Sequence, residues 1–360
     1  MAISIKITKS TQSKIHSLDF ETLQFGKNFS DHMFRADYID GTWQNPQILP
    51  YSDILLPPSL SAIHYGQSIF EGMKAYKSPE GTPQLFRPLM NFKRMNLSAQ
   101  RMAMPEIPEE IFMEGLKKLV MLDKDWIPAK EGSSMYLRPF MFATDDFIGV
   151  RPSKNFAFMI ICSPANAYYS KPINVLVEEK YVRAAQGGVG FAKAAGNYGA
   201  SMLPTREANQ KGFDQYNCTD CRDHQYVEES GTMNVFFVAN KTVLTPEIDG
   251  TILQGVTRDS CIQILRDKGY KVEERKISIK EIAEAFDKGL LQDAFGTGTA
   301  AMLARIASFN YKGKDYVLPP VESREVSNLL YDTLNGIYSS RIPDKFGWIM
   351  KLEEELVVTH

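Results

Sequence analysis

The residue best suited to covalent chemistry in this chain is Lys193, which lies in GGVGFAKAAGNYGASML (187–203) with Phe191 as its one bulky near neighbour. Small neighbours allow something large to approach the backbone closely. A lysine among small apolar residues can be desolvated, which frees its amine for Schiff-base chemistry. The plain alternative is a flexible glycine-rich loop carrying a solvated lysine. A second candidate is Glu229 in YVEESGTMNVFFV (226–238), placed before a Ser-Gly-Thr turn and a β-rich run. Chemistry that drains electrons into a pyridine ring needs the ring nitrogen protonated, and a fixed acid beside it supplies that. Taken alone, Glu229 reads as a solvated glutamate at a strand edge.

Two further segments suit an anion. LQGVTRDSCIQIL (253–265) is a glycine turn running into an amphipathic helix with Thr257 and Asp259 at its start, and the free N–H groups of such a terminus attract phosphate. AFGTGTAAML (294–303) contains GxGxxA, with Asp315 about 20 residues on. It is not read as a dinucleotide fingerprint, because EIAEAFDKGLLQ before it looks helical and too little chain follows for such a domain. A glycine turn offering backbone amides to an anion remains.

These residues need elements to hold them. Strand-like QLFRPL (84–89), FAFMIIC (156–162) and VFFVANKTVLT (235–245) alternate with helix-like stretches such as RDSCIQILRDKG (258–269), which indicates α/β or α+β. No repeat and no low-complexity segment is visible. The polar, Pro-flanked SPANAYYSKP (163–172) marks a seam. The expected organisation is a small N-terminal domain over 1–163, an interdomain loop over 164–175 and a large C-terminal domain over 176–360. Small-molecule sites commonly sit between domains.

The chain has 360 residues, 44% hydrophobic and 23% charged, with a net charge of -2. That balance gives no electrostatic reason to expect nucleic acid and suits small neutral or zwitterionic ligands. The longest apolar run is far shorter than the roughly 20 residues of a membrane span. The N-terminus lacks a signal-like apolar core, so a cytoplasmic protein is expected. Four cysteines make no disulfide framework; Cys218 and Cys221 form a CxxC without a second Cys/His pair, and are read as ordinary loop or strand cysteines with no metal.

Taken together, the chain resembles the branched-chain aminotransferases of the fold-type IV pyridoxal-phosphate family. The resemblance runs from about Tyr51 to Met350 through GQSIFEGMKAY (66–76), LFRPLMNFKRM (85–95), YLRPFMFATDDFIGVRP (136–152), the Lys193 segment, EESGTMN, GVTRDS and GTGTAA, in the family's order. It implies two α/β domains joined by an interdomain loop, assembled as a homodimer or a higher assembly of dimers. It also implies pyridoxal 5'-phosphate as cofactor and ping-pong transfer of an amino group between leucine, isoleucine or valine and 2-oxoglutarate. Small amino acids and 2-oxo acids are then the partners, with no nucleic acid and no membrane.

By the same resemblance, Lys193 carries the cofactor and shuttles the proton. Glu229 pairs with the pyridine nitrogen, and Tyr198 lies near the ring oxygen. Arg94, Arg183, Val256, Thr257 and Thr299 hold the phosphate. Tyr65, Phe70, Tyr136 and Val150 form the apolar pocket, part of whose wall comes from a partner subunit. Thr299 and Ala300 bind the α-carboxylate, Arg138 the side-chain carboxylate of glutamate, and Tyr168 lies in the mobile loop. The chain departs from the family's pattern at Val189, at Ala195 and in SPANAYY. A redox CxxC known in animal relatives is replaced by Ala301 and Ala304.

Overall fold

The computed structural model describes residues 3–169 and 171–353, in two units. The first contains the residues up to 168, with 192–195 and 335 onward; the second contains 169–191 and 196–334.

In the first unit the strands are β1 (Lys6–Ile7), β2 (His32–Ile39), β3 (Thr42–Pro50), β4 (Ser68–Phe70), β5 (Met73–Lys77), β6 (Pro83–Phe86), β7 (Ser134–Ala143) and β8 (Phe156–Ala165). They form one sheet in the order β1-β3-β2-β8-β7-β5-β6, with β4 on β7 and the late strand Ile349–Lys351 beyond β6. Helices α1 (Ser61–Tyr65), α2 (Pro88–Arg101) and α3 (Glu109–Leu122) accompany it. The period of two divides β7 sharply. Met135, Leu137, Met141 and Ala143 join a core with Phe112, Leu116, Leu119 and Val120 of α3. Tyr136, Arg138, Phe140 and Phe142 therefore point the other way. Phe158 of β8 stacks on Phe112 at 5.7 Å and meets Phe34 edge-on at 5.9 Å, and truncating such a ring to alanine costs about 3–5 kcal/mol.

The fold departs from the sequence pattern in two places. QLFRPL is strand only to Phe86; Arg87 takes a left-handed φ of 48° and Pro88 occupies the first helical position, where its missing N–H is not needed. Residues 335–353 do not stay with a C-terminal domain. They return to the first unit because Ile349–Lys351 pairs antiparallel with Gln84–Phe86.

The second unit has β9 (Ile173–Val177), β10 (Gln215–Thr219), β11 (Val227–Ser230), β12 (Met233–Ala239), β13 (Thr242–Thr245), β14 (Lys271–Glu274), β15 (Leu291–Gly298), β16 (Met302–Tyr311) and β17 (Lys314–Val317). Their order is β11-β10-β9-β16-β15-β12-β13-β14, and β11 also pairs with β12, so six strands close on themselves. Closure removes the open edges that would otherwise flank β11 and β12. Helices α4 (Ala195–Ala200), α5 (Met202–Gln210), α6 (Val256–Asp267) and α7 (Ile279–Asp287) belong to this unit, and α8 (Glu325–Tyr338) begins in it. AFGTG is the end of β15, and its glycine turn is a hairpin into β16 rather than a strand-to-helix crossover.

Candidate active site

The first unit gathers Lys193 onto its sheet. The Phe70 N–H donates to the Lys193 carbonyl at 3.0 Å, Ile69 bridges to Ala194, and the Lys193 N–H donates to Ser98 Oγ at 2.9 Å. Ser98 belongs to α2, whose buried polar face, Asn91, Arg94 and Ser98, follows the helical period. Lys193 is thus fixed through its backbone from both sides, and the reading of a loose glycine loop does not hold for this residue. Its Nζ lies 4.7 Å from the centre of the Phe70 ring.

Arg138 comes to the same ring, its Cζ at 4.5 Å, and donates from Nη2 to the Tyr136 hydroxyl at 3.0 Å. No carboxylate among the described residues pairs with Arg138. Phe25 packs edge-on against both Tyr136, at 4.8 Å, and Tyr168, at 5.2 Å, tying Tyr168 into the aromatic group. A Cβ on Gly72 would overlap the Tyr136 hydroxyl, so the glycine of FEGMK is what lets the end of that ring approach the chain just before β5. Lys74, whose Cα pairs with Tyr136 across β5 and β7, is half-buried on the same face, and burial pushes its ammonium down to about 8. Tyr65 and Val150 are not brought into this group. Tyr65 is 42% exposed at the end of α1 and Val150 is 91% exposed in a bend, so the chain's own packing does not make them a pocket wall.

Glu71, missed at the sequence level, is the most buried carboxylate here. Arg94 grips it with two teeth, Nε to Oε1 at 2.7 Å and Nη2 to Oε2 at 2.8 Å, and Asn91 Nδ2 adds a third bond at 2.8 Å. Burial pushes the Glu71 carboxyl up, but Arg94, with Lys193 and Asn91 behind it, outweighs this and holds it below its ordinary range. Removing one partner of such a pair costs about 3–5 kcal/mol because the other charge is stranded.

In the second unit Glu229 is not solvated. It is 2% exposed, and its Oε2 pairs with Arg183 Nε at 2.8 Å. The Leu253 N–H donates to Oε1 at 2.8 Å, and Asn234 Nδ2 reaches the same oxygen at 3.4 Å. A Cβ on Gly255 would strike Asn234 Oδ1, so this glycine lets the 253–255 turn close onto the carboxylate. The family resemblance implies a phosphate for Arg183. Its guanidinium is instead taken by Glu229, by the Thr251 carbonyl at 2.6 Å and by the Gly190 carbonyl at 3.2 Å. Burial works against its charge, and Glu229 restores it, holding Arg183 above its ordinary value.

Val256 and Thr257 form the first turn of α6, whose N-cap Gly255 has no side chain to satisfy the leading N–H groups. Thr299 and Ala300 occupy the hairpin between β15 and β16, and Tyr198 lies on α4 within electrostatic range of Arg183. Cys218 is buried in β10 and Cys221 is exposed, both as free thiols. Among the described residues no group of side chains is arranged to hold a metal, and no helix is long and apolar enough to cross a membrane.

Residues 68–309 match the family model of amino-transferase class IV. A relative in Staphylococcus epidermidis named probable branched-chain-amino-acid aminotransferase is 46% identical over 353 residues, covering 97% of this chain and 98% of its own. The Bacillus subtilis branched-chain-amino-acid transaminase 1 is 44% identical over 339 residues, with coverages of 93% and 95%. Among solved structures, a T.th. branched-chain amino acid aminotransferase complexed with N-(5'-phosphopyridoxyl)-L-glutamate superposes with a TM-score of 0.71 at 26% identity, over 88% of this chain and 98% of that one. The amine-bearing Lys193 segment, the buried carboxylate Glu229 and the open start of α6 thus occur in a chain that belongs to the class IV aminotransferases.

Proposed function

We propose that the protein transfers amino groups between leucine, isoleucine or valine and 2-oxoglutarate, using pyridoxal 5'-phosphate and releasing a branched 2-oxo acid and glutamate. The observation that carries this reading is the pair of cations gathered on one aromatic ring, with the Lys193 amine 4.7 Å and the Arg138 guanidinium 4.5 Å from the centre of Phe70. One is a nucleophile; the other is a cation without a carboxylate partner among the described residues, beside an apolar surface. That combination suits a pocket taking an aliphatic side chain and a carboxylate in turn.

The residues present fit the cofactor. Lys193 offers the amine that would hold it, Glu229 a fixed buried carboxylate for a ring nitrogen, and the uncapped α6 turn at Val256 and Thr257 amides for a phosphate. The cofactor supplies the electron sink that makes the substrate's α-hydrogen acidic. Lys193 Nζ takes that proton and returns it on the other side of the transfer. Tyr198 is assigned to the ring oxygen and Thr299 to the phosphate, together with Arg94, whose guanidinium Glu71 already holds through Nε and Nη2. Thr299 and Ala300 take the α-carboxylate through backbone amides. Phe70 and Tyr136 exclude water from the aliphatic side chain. Tyr65, Val150 and Tyr168 belong to the pocket's outer wall, where a second copy of the chain completes the enclosure of surfaces exposed in the single chain. The same assembly, as a dimer or dimers of dimers in a cytoplasmic setting, is part of the proposal.

The experiment is a visible absorbance spectrum of the purified protein, followed by a leucine and 2-oxoglutarate assay. A yellow protein that makes glutamate is expected, and Lys193→Ala should keep its fold while losing both the colour and all turnover. A Lys193→Ala variant with wild-type turnover would refute the assignment.

A further inference from the structure

Adjacent carboxylates on β11 have opposite surroundings. Glu228 is 6% exposed, and its Oε2 has no hydrogen-bond partner among the described residues. Burial, with Asp249 nearby, pushes its carboxyl up to about 7 against weaker opposing pulls from Thr251 and Arg183. Glu229 is buried more deeply, yet three donors converge on it, and one of them carries a full charge 2.8 Å away. Glu228 shows what this strand does to a carboxylate left to desolvation. Glu229 has the Leu253 N–H, Asn234 and Arg183 at contact distance, and Arg183 is the one of these that carries a charge.

Arg183 is itself fixed. Its Nη1 and Nη2 donate to the carbonyls of Gly190 and Thr251, which leaves Nε aimed at Glu229. These carbonyls orient the guanidinium without neutralising it, so its positive charge is spent on the carboxylate. Glu228, Cys218, Tyr198 and Tyr216 also lie within electrostatic range of Arg183.

We infer that Arg183 is a positioning residue that keeps Glu229 ionised and oriented, so that a proton shared between Glu229 and the pyridine nitrogen of the bound cofactor resides on the nitrogen. This inference rests on the cofactor reading given above. A proton between a buried carboxylate and a ring nitrogen has two placements, one a neutral pair and the other an ion pair. Burial alone favours the neutral pair. The fixed cation behind the carboxylate reverses that preference, because it stabilises only the arrangement in which Glu229 is negative. No net electron or proton change accompanies the assignment; one proton changes its owner.

The test loads the full protein with pyridoxal 5'-phosphate labelled with 15N at the ring, and reads the nitrogen chemical shift in wild type, Arg183→Gln and Arg183→Lys at matched cofactor occupancy. Wild type and Arg183→Lys are expected in the pyridinium range and Arg183→Gln in the neutral-pyridine range. A role confined to folding would move the melting temperature but not this shift. A pyridinium signal in Arg183→Gln would overturn the proposal while leaving the cofactor reading intact. A wild-type protein that takes up no pyridoxal phosphate would overturn both. If Arg183→Gln does not fold, Arg183→Lys carries the test, since it keeps the charge and loses the forked contacts. Loss of the pyridinium signal in that variant would overturn the role of the charge.

Discussion

Arg138 and Glu228 are the residues whose surroundings make the sharpest demands. Arg138 lies on Phe70, bonds the Tyr136 hydroxyl and has no carboxylate partner among the described residues, while its Nε is buried without an acceptor. A cation so placed gains most from an arriving anion. Arg138→Gln should weaken the glutamate and 2-oxoglutarate half-reaction by about 2–5 kcal/mol and leave the leucine half-reaction nearly unchanged. Stopped-flow absorbance of the two half-reactions checks this, and equal losses would make Arg138 a framework residue. Glu228 gives a pH dependence. Its carboxyl is raised from 4.5 to about 7, so the folded state holds a proton that the unfolded chain releases. Its contribution is therefore neutral at low pH and becomes destabilising as pH rises from about 4.5 to 7, reaching about 3 kcal/mol above that window. Glu228→Gln, which mimics the protonated acid, should raise stability at pH 8 and leave it unchanged at pH 4. Urea titrations at the two pH values measure it.

At the scale of elements, β5 and α2 do most of the positioning. Gly72→Ala would drive a methyl into the Tyr136 hydroxyl, displacing that ring and with it the hydrogen bond from Arg138. The expected outcome is a loss of about 1–3 kcal/mol in stability, read by thermal melting, together with a raised KM for both amino acids. The blocks that position these residues are legible in the sequence because their patterns are local. The small-residue setting of Lys193, the glycine turn before α6 and the apolar run of β8 each declare themselves within a dozen residues. What stays hidden depends on pairs distant in the chain. Glu71 looks like any strand-end charge until Arg94 folds back on it across a helix. Arg183 reads as a phosphate ligand until Glu229, on β11 far along the chain, claims it. Tyr65 and Val150 correspond to positions of the family's pocket, yet the single chain leaves them exposed. The end of QLFRPL misleads because an apolar run ending in Arg-Pro satisfies a strand pattern as well as a helix start.

For the whole molecule, the chain completes its first unit late. Residues 335–353 pack on β5 and β6: Tyr338 stacks on Tyr76 at 4.8 Å, its carbonyl accepts from the buried Gln84 amide at 2.6 Å, and Trp348 meets Phe86 edge-on at 5.6 Å. Trp348→Ala should therefore cost about 3–5 kcal/mol and lower the melting temperature, although Trp348 lies far along the chain from the lysine segment. An unchanged melting curve would show that the returning strand contributes little. The return also sets an order of events during translation. The edge offered by Pro83–Phe86 is made early, but its partner Ile349–Lys351 is synthesised only after the whole second unit. Until then a nascent chain carries an unpaired β-edge next to Phe86, a template for pairing with a neighbouring chain. Fast synthesis at high temperature should therefore favour aggregates nucleated at that edge, and slowing translation should recover soluble protein without any change in the stability of the finished fold.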